Sequence, residues 1–267
     1  MENKKLIPKI IHMTWFSGDE LPKRLKRCIE TWKKNLPDFE IKVWNMEMAR
    51  ALNIAFVNEA LDARKWAFAS DVVRAYAVWK YGGVYMDTDI FLRKRFDSLL
   101  EKDLVFFMER NEKEWKYYNP KGSVDVTGRC VNKEWFIRGR QIQAAFFMGK
   151  AGHPCLQEII DIYRKRHFLN ENGTPDMSVI SPSVFAKALE KYGFLYTDKK
   201  QILSDILVLP SSYVSTSKYE SKKNTIAIHL CEHAWDPRSP WMYIKYKIIT
   251  SPIGYIINKI RYSFCLI

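Results

Sequence analysis

Long unbroken apolar runs are absent from this chain, so nothing in it reads as a bilayer-spanning helix, and the first residues, with Pro8 close behind them, hold no apolar stretch of signal-peptide length. Paired cysteines are absent as well. Cys28, Cys130, Cys155, Cys231 and Cys265 are five in number and widely spaced, without the short paired spacings of a zinc site. They read as buried free thiols, which suits a reducing compartment better than a disulfide scaffold and points to a cytoplasmic protein. Acidic charge is in short supply: 30 Asp and Glu stand against 43 Lys and Arg, a net charge of +13. Such a surface attracts polyanions, anionic headgroups or phosphorylated substrates. No helix-turn-helix, zinc or RNA-binding signature accompanies the charge, so salt-sensitive, nonspecific contact is all that is expected of nucleic acid. No internal repeat is present.

What is there suffices for one sizeable core. The 267 residues are 47% hydrophobic and 27% charged, an ordinary globular composition. The pattern predicts a first buried strand over 9–15, an amphipathic helix over 21–35 with Pro22 near its start, and an alternating strand over 40–44. A short helix capped by Asn45 follows, then a long helix over 59–81 with Trp66, Ala69, Val73 and Tyr76 on one stripe. Further strands are expected over 104–108, 144–148, 206–209 and 225–229, with helices over 155–167 and 181–192, the last opened by Ser181 as N-cap and Pro182 at its first position. Residues 110–140 are polar and lack a clean period, an excursion over the active face. The alternation argues for an α/β sandwich around a mostly parallel sheet. Residues 1–235 form one domain in this reading. Residues 236–267, rich in Trp241, Tyr243, Tyr246, Lys245, Lys247, Lys259 and Arg261, form a basic aromatic helical tail that either packs on the domain or meets an anionic membrane surface.

The most informative stretch is Tyr81-Gly82-Gly83-Val84-Tyr85-Met86-Asp87-Thr88-Asp89, where a helix ends on paired glycines and a short apolar strand delivers two aspartates. Side chains two apart on an extended segment leave on one face, so Asp87 and Asp89 can converge. Two convergent carboxylates suit Mg2+ or Mn2+, hard cations that keep positions open for a substrate's phosphates. An Asp-x-Asp triplet also ends many strands for ordinary turn reasons, so the flanking residues matter. Asp71 and Arg74, three apart on the upstream helix, share a face as either an ordinary surface ion pair or a ligand clamp.

Ile7-Pro8-Lys9-Ile10-Ile11-His12-Met13-Thr14-Trp15-Phe16, then Ala69-Ser70-Asp71-Val72-Val73-Arg74, then residues 81–89, together resemble the DXD-motif sugar transferases of glycosyltransferase family 32, and more distantly the clostridial toxin glucosyltransferases. The resemblance spans roughly residues 6–235. It implies a GT-A type nucleotide-sugar-binding fold, a divalent cation (Mn2+ or Mg2+), a nucleotide-sugar donor such as a UDP-sugar, and retention of anomeric configuration. It also implies donor contacts from Trp15, Ser70, Asp71, Arg74, Gly83, Tyr85, Asp87 and Trp235, with Asp87, Asp89 and Arg74 as the catalytic group. Trp15 offers a flat apolar face for a nucleobase or for the core. The metal ligands implied are Asp89, Asp87 and His229, with Glu232 and His233 in reserve, and Trp235 is placed to donate its indole N–H to the leaving diphosphate.

The chain departs from that family where Ala144 and Ala145 replace an asparagine, where Ser181 replaces a glycine before Pro182, and where Leu230 replaces a second histidine. The activity expected is sugar transfer to a glycan or lipid-diphosphate-linked oligosaccharide acceptor in surface polysaccharide synthesis, in the manner of capsule or lipopolysaccharide enzymes, at the inner face of a membrane. Two other readings stand beside it. One is a haloacid dehalogenase-like phosphatase using Asp87 and Asp89 as nucleophile and acid. The other is a non-catalytic relative that only holds a nucleotide-sugar or a membrane.

Overall fold

The computed structural model describes residues 6–216 and 221–231. Strands β1 (Ile10–Thr14), β2 (Glu40–Trp44) and β3 (Gly83–Met86) pair in parallel, with β1 in the middle. Next to β3 lies β7 (Phe146–Gly149), antiparallel to it, then β5 (Leu104–Arg110), β9 (Ile206–Leu209) and β8 (Gln201–Leu203). Since β5 opposes β7 and runs parallel with β9, the strands β2, β1, β3, β5 and β9 share one direction, and β7 and β8 run against them. The expected mostly parallel α/β sheet is therefore present. A short strand, β6 (Arg140–Ile142), pairs with the far end of β5.

Both faces of this sheet are covered, so its strands read as continuous apolar runs. Leu104, Phe106 and Met108 of β5 point into one cluster, Val105 and Phe107 into the other, the two-residue period of a strand. The first cluster packs against helices α3 (Ala55–Asp62), α4 (Trp66–Tyr81), α6 (Pro154–Arg164) and α7 (Ser181–Leu189). On the opposite face lies α1 (Lys23–Asn35), which buries Leu25, Cys28 and Trp32, spaced for one helical stripe. Trp32 Nε1 donates to the Ile90 carbonyl at 2.6 Å and so ties α1 to β4 (Ile90–Leu92). A second, small sheet forms there, in the order β10 (Val214–Ser215), β11 (Ala227–His229), β4.

Several expectations are corrected. The long helix over 59–81 is two helices, α3 and α4, broken at Arg64, whose backbone is left-handed (φ 55°). No Gly or Pro marks that break. The helix α4 is buried almost all round, so its stripe does not define one face. Ser181 is the first helical residue, not the N-cap, which is Ile180 without a side-chain cap. The polar excursion contains α5 (Glu112–Tyr118), capped by Asn111. The last expected strand, β11, belongs to the small sheet and not to the central one. Cys28, Cys130, Cys155 and Cys231 are free thiols, the first and third buried and the other two half-buried. Cys265 and the tail over 236–267 lie outside the described residues.

The helix-to-strand junction ahead of the aspartates is fixed from below. Gly83 has φ 109°, and a Cβ there would sit 2.5 Å from the Ile10 carbonyl oxygen, so only glycine lets β3 lie against β1. The close approach seen at Gly83 is to β1. His12 on β1 donates Nε2–H to the Gly82 carbonyl at 2.9 Å and accepts from Trp44 Nε1 at its other nitrogen, 3.2 Å away. That pairing holds one neutral tautomer. Burial lowers its pKa to about 4, with Lys42 adding to the fall and the Gly82 bond opposing it.

Candidate functional site

β3 ends at Met86, and the chain then turns. Asp87 N donates to the Ala145 carbonyl at 2.9 Å, and Ile90 N donates back to the Asp87 carbonyl at 3.0 Å. Asp87 and Asp89 therefore converge across a tight turn, and not by the alternation of an extended strand. The turn passes the chain from the central sheet into the small one. In that sheet His229 stands opposite Ile90, and Leu230 N donates to the Asp89 carbonyl at 3.1 Å. This register brings His229 Nε2 to 3.4 Å from Asp89 Oδ1. Asp87, Asp89 and His229 each offer one ligand atom, and all three atoms lie within 4.8 Å of one another. Two carboxylates and an imidazole are a donor set that Mn2+ accepts readily, so the residues fit a divalent cation. Burial disfavours a charged His229, but Cys231 and Asp89 beside it hold its proton and push its pKa up.

Asp87 is held from both sides. The Tyr85 hydroxyl donates to Oδ1 at 2.7 Å, and Arg74 Nη1 approaches Oδ2 at 3.4 Å. Tyr85 itself is fully buried, its hydroxyl 3.2 Å from Thr14 Oγ1 at the end of β1. Burial and Asp87 raise its pKa against the pull of Arg74, so it remains a neutral donor. The structure thus spends Tyr85 on orienting Asp87.

Arg74 is a hub, only 5% exposed. Its guanidinium reaches Asp71 Oδ1 at 3.0 Å, Ser70 Oγ at 2.7 Å and the Ala144 carbonyl at 2.9 Å. The Asp71–Arg74 pair is therefore buried, not the exposed surface pair that its spacing alone also permits. Desolvation raises the Asp71 carboxyl to about 7, against the pull of Arg74 and with the push of Asp87. The nearby Ser181 hydroxyl, at the buried start of α7, adds a smaller downward pull on that carboxyl.

Trp15 follows β1 directly, half-buried, with Nε1 donating to the Asp19 carbonyl at 2.7 Å. Because Thr14 touches Tyr85, Trp15 and the aspartate turn occupy the same edge of the sheet, at the carboxyl ends of adjacent parallel strands. Ligands of open α/β sheets bind at that edge. Trp235, Glu232 and His233 lie outside the described residues.

Three residues not anticipated from the sequence stand nearby. Glu109, the last residue but one of β5, pairs across the strands with Gln141 and feels the charges of His229, Glu114 and Arg138. Desolvation lifts its carboxyl to about 7, opposed by His229 and Arg138. Gln141 and Gln143 are 0% and 2% exposed, and neither side-chain nitrogen finds a partner among the described residues. An acid ending the apolar run of β5 was the available signal.

Residues 22–106 match the family described as "Glycosyltransferase sugar-binding region containing DXD motif". Over that stretch, about a third of its length, the chain is similar to the DXD-motif glycosyltransferases. The chain is 36% identical over 104 residues to inositol phosphoceramide mannosyltransferase 2 of Schizosaccharomyces pombe, a match covering 38% of this chain and 30% of that one. It is 25% identical over 210 residues to mannosyl phosphorylinositol ceramide synthase SUR1 of Saccharomyces cerevisiae, covering 73% of this chain and 51% of the relative. The first of these matches spans about a third of its relative's length. Among solved structures, the PaToxG glycosyltransferase aligns with a TM-score of 0.47 at 18% identity, over 70% of each chain.

Proposed function

We propose that this chain moves a hexosyl group from a nucleoside-diphosphate sugar to a glycan or lipid-linked acceptor, with a divalent cation held by Asp87, Asp89 and His229. The observation behind the reading is that cluster, with both oxygens of Asp87 already engaged by Tyr85 and Arg74. Orientation fixed before substrate arrives costs no reorganisation during the reaction.

Each residue has a task in this reading. Trp15 stacks the nucleobase, and the Ser70, Asp71 and Arg74 face of α4 meets ribose and phosphate. Arg74, permanently charged and buried, lowers the cost of negative charge on the departing diphosphate. Trp235 assists as an indole donor. A bound cation supplies Lewis-acid stabilisation of that same charge. Retention follows if the acceptor attacks from the face of departure and passes its proton to the leaving phosphate oxygen. No carboxylate is assigned as nucleophile, because Asp87 is held on both oxygens and Asp89 is committed to the cation with His229.

The family resemblance favours a UDP-sugar, while the names of the relatives favour a mannosyl donor and a phosphoinositol-bearing lipid acceptor. The net charge of +13 supports work on an anionic lipid carrier at the inner, cytoplasmic face of a membrane, in surface-glycan synthesis. Among the described residues no helix is long and apolar enough to cross a membrane. A panel of UDP- and GDP-sugars with Mn2+, scored for transfer or slow hydrolysis, should give turnover with the wild-type chain and at least a 100-fold loss with Asp89→Ala. Transfer by Asp89→Ala in excess EDTA at the rate that the wild type shows with Mn2+ would defeat the proposal. A phosphoaspartate trapped at Asp87 would replace it with the phosphatase reading.

A further inference from the structure

We infer that Glu109, Gln141 and Gln143 form the wall that binds the hydroxyl groups of the transferred sugar, on the side of the cation cluster away from Trp15. The inference rests on the transferase reading above and assigns its sugar subsite.

Register puts the three side chains together. Glu109 and Gln141 are cross-strand partners, and Gln143 N donates to the Phe107 carbonyl at 2.7 Å, which places Gln143 opposite Phe107. Residues paired or two apart on neighbouring strands share one face of a sheet. Here that face also carries Val105, Phe107 and Ala145, and it packs with Ala227 of β11, the strand that ends in His229. The Glu109 carboxyl accordingly senses the charge on His229.

The chemistry of this face is unfinished. Gln141 Oε1 accepts from Gly139 N at 2.6 Å, and Gln143 Oε1 accepts from Ala145 N at 3.1 Å, so both amides are fixed in orientation. Their buried NH2 groups lack acceptors among the described residues. Buried donors left unmade are costly, and they are retained where a ligand completes them. A ligand that satisfies two amide donors and a carboxyl on one wall must offer acceptors and donors side by side. Vicinal hydroxyls do so, each being donor and acceptor at once. A second phosphate does not, since it would face Glu109.

Strand order gives the direction. β1, which ends at Trp15, lies one strand spacing to one side of β3. β5 lies two spacings, roughly 10 Å, to the other, beyond β7. With the base on Trp15 and the diphosphate at the aspartate turn, the sugar ring falls toward β7, β5 and β6.

Calorimetry with UDP, GDP, UDP-glucose, UDP-galactose and GDP-mannose in Mn2+ separates nucleotide from sugar binding. The wild-type chain should bind at least one nucleotide-sugar more tightly than its nucleoside diphosphate. Gln143→Leu, Gln141→Leu and Glu109→Gln should leave the nucleoside diphosphate Kd within twofold and weaken the nucleotide-sugar at least tenfold, flattening the preference among epimeric sugars. Gln143→Glu, which keeps the acceptor for Ala145 N and deletes the donors, should behave as Gln143→Leu does, so that a folding defect in one variant does not decide the result. Unaltered sugar dependence in these variants, with nucleoside diphosphate binding intact, overturns the inference alone. A wild-type chain that binds none of the five overturns the transferase reading together with it.

Discussion

His12 shows how much of the site is set by residues that never touch a ligand. It sits at the foot of the Gly82-Gly83 junction, neutral, with both ring nitrogens committed. The unfolded chain takes up a proton near pH 6.5, whereas the folded one resists until about pH 4. Between those values the unfolded state binds more protons, so stability falls as pH falls, by about 2 kcal/mol at pH 5 relative to pH 7. Urea unfolding of the wild type should show that loss in excess of His12→Gln, and equal pH dependence of the two midpoints would refute it. Arg74 illustrates the opposite case, a buried charge kept because Asp71 and Asp87 surround it. Its spacing from Asp71 was readable in the sequence; its burial, and with it the choice between surface pair and clamp, was not, because burial depends on α6 and α7 closing over α4.

Among the elements, the strand before the aspartates was the most legible, since paired glycines and an apolar run leave few alternatives. The reason for the second glycine was less so, because the atom Gly83 avoids, the Ile10 carbonyl oxygen, is over seventy residues distant in the chain. Gly83→Ala forces a side chain into that contact at a backbone angle that only glycine takes easily, at a cost of about 3 kcal/mol. The melting temperature should drop by roughly 10 °C, and a change of under 2 °C would count against the packing account. The break between α3 and α4 was invisible because its turn is made by Arg64, a residue with no turn signature. The convergence of Asp87 and Asp89 was anticipated for the wrong local reason. Thr88 lies in a turn, and a strand alternation would have continued the central sheet instead of leaving it. Glu109 and the two glutamines escaped notice because their common face exists only once β6 pairs with β5.

At the scale of the molecule, the class of fold followed from the alternation of apolar strands and helices, but the existence of a second sheet did not. Short strands such as β4, β10 and β11 carry too few residues to announce a period, and β4 finds its partner β11 more than a hundred residues away. That small sheet has a mechanical consequence. Asp87 hangs from the central sheet and His229 from the small one, with Asp89 at the seam between them. A cation drawn to these three side chains acts as a rivet through two layers whose shared apolar cluster lies behind it. Adding Mn2+ should then raise the melting temperature in a concentration-dependent way and slow amide exchange in β4 and β11 more than in β8 or β9. Its removal by chelation should let the small sheet breathe while the central one stays shut. Uniform protection across both sheets, or none, would show that the two layers are not fastened at this point.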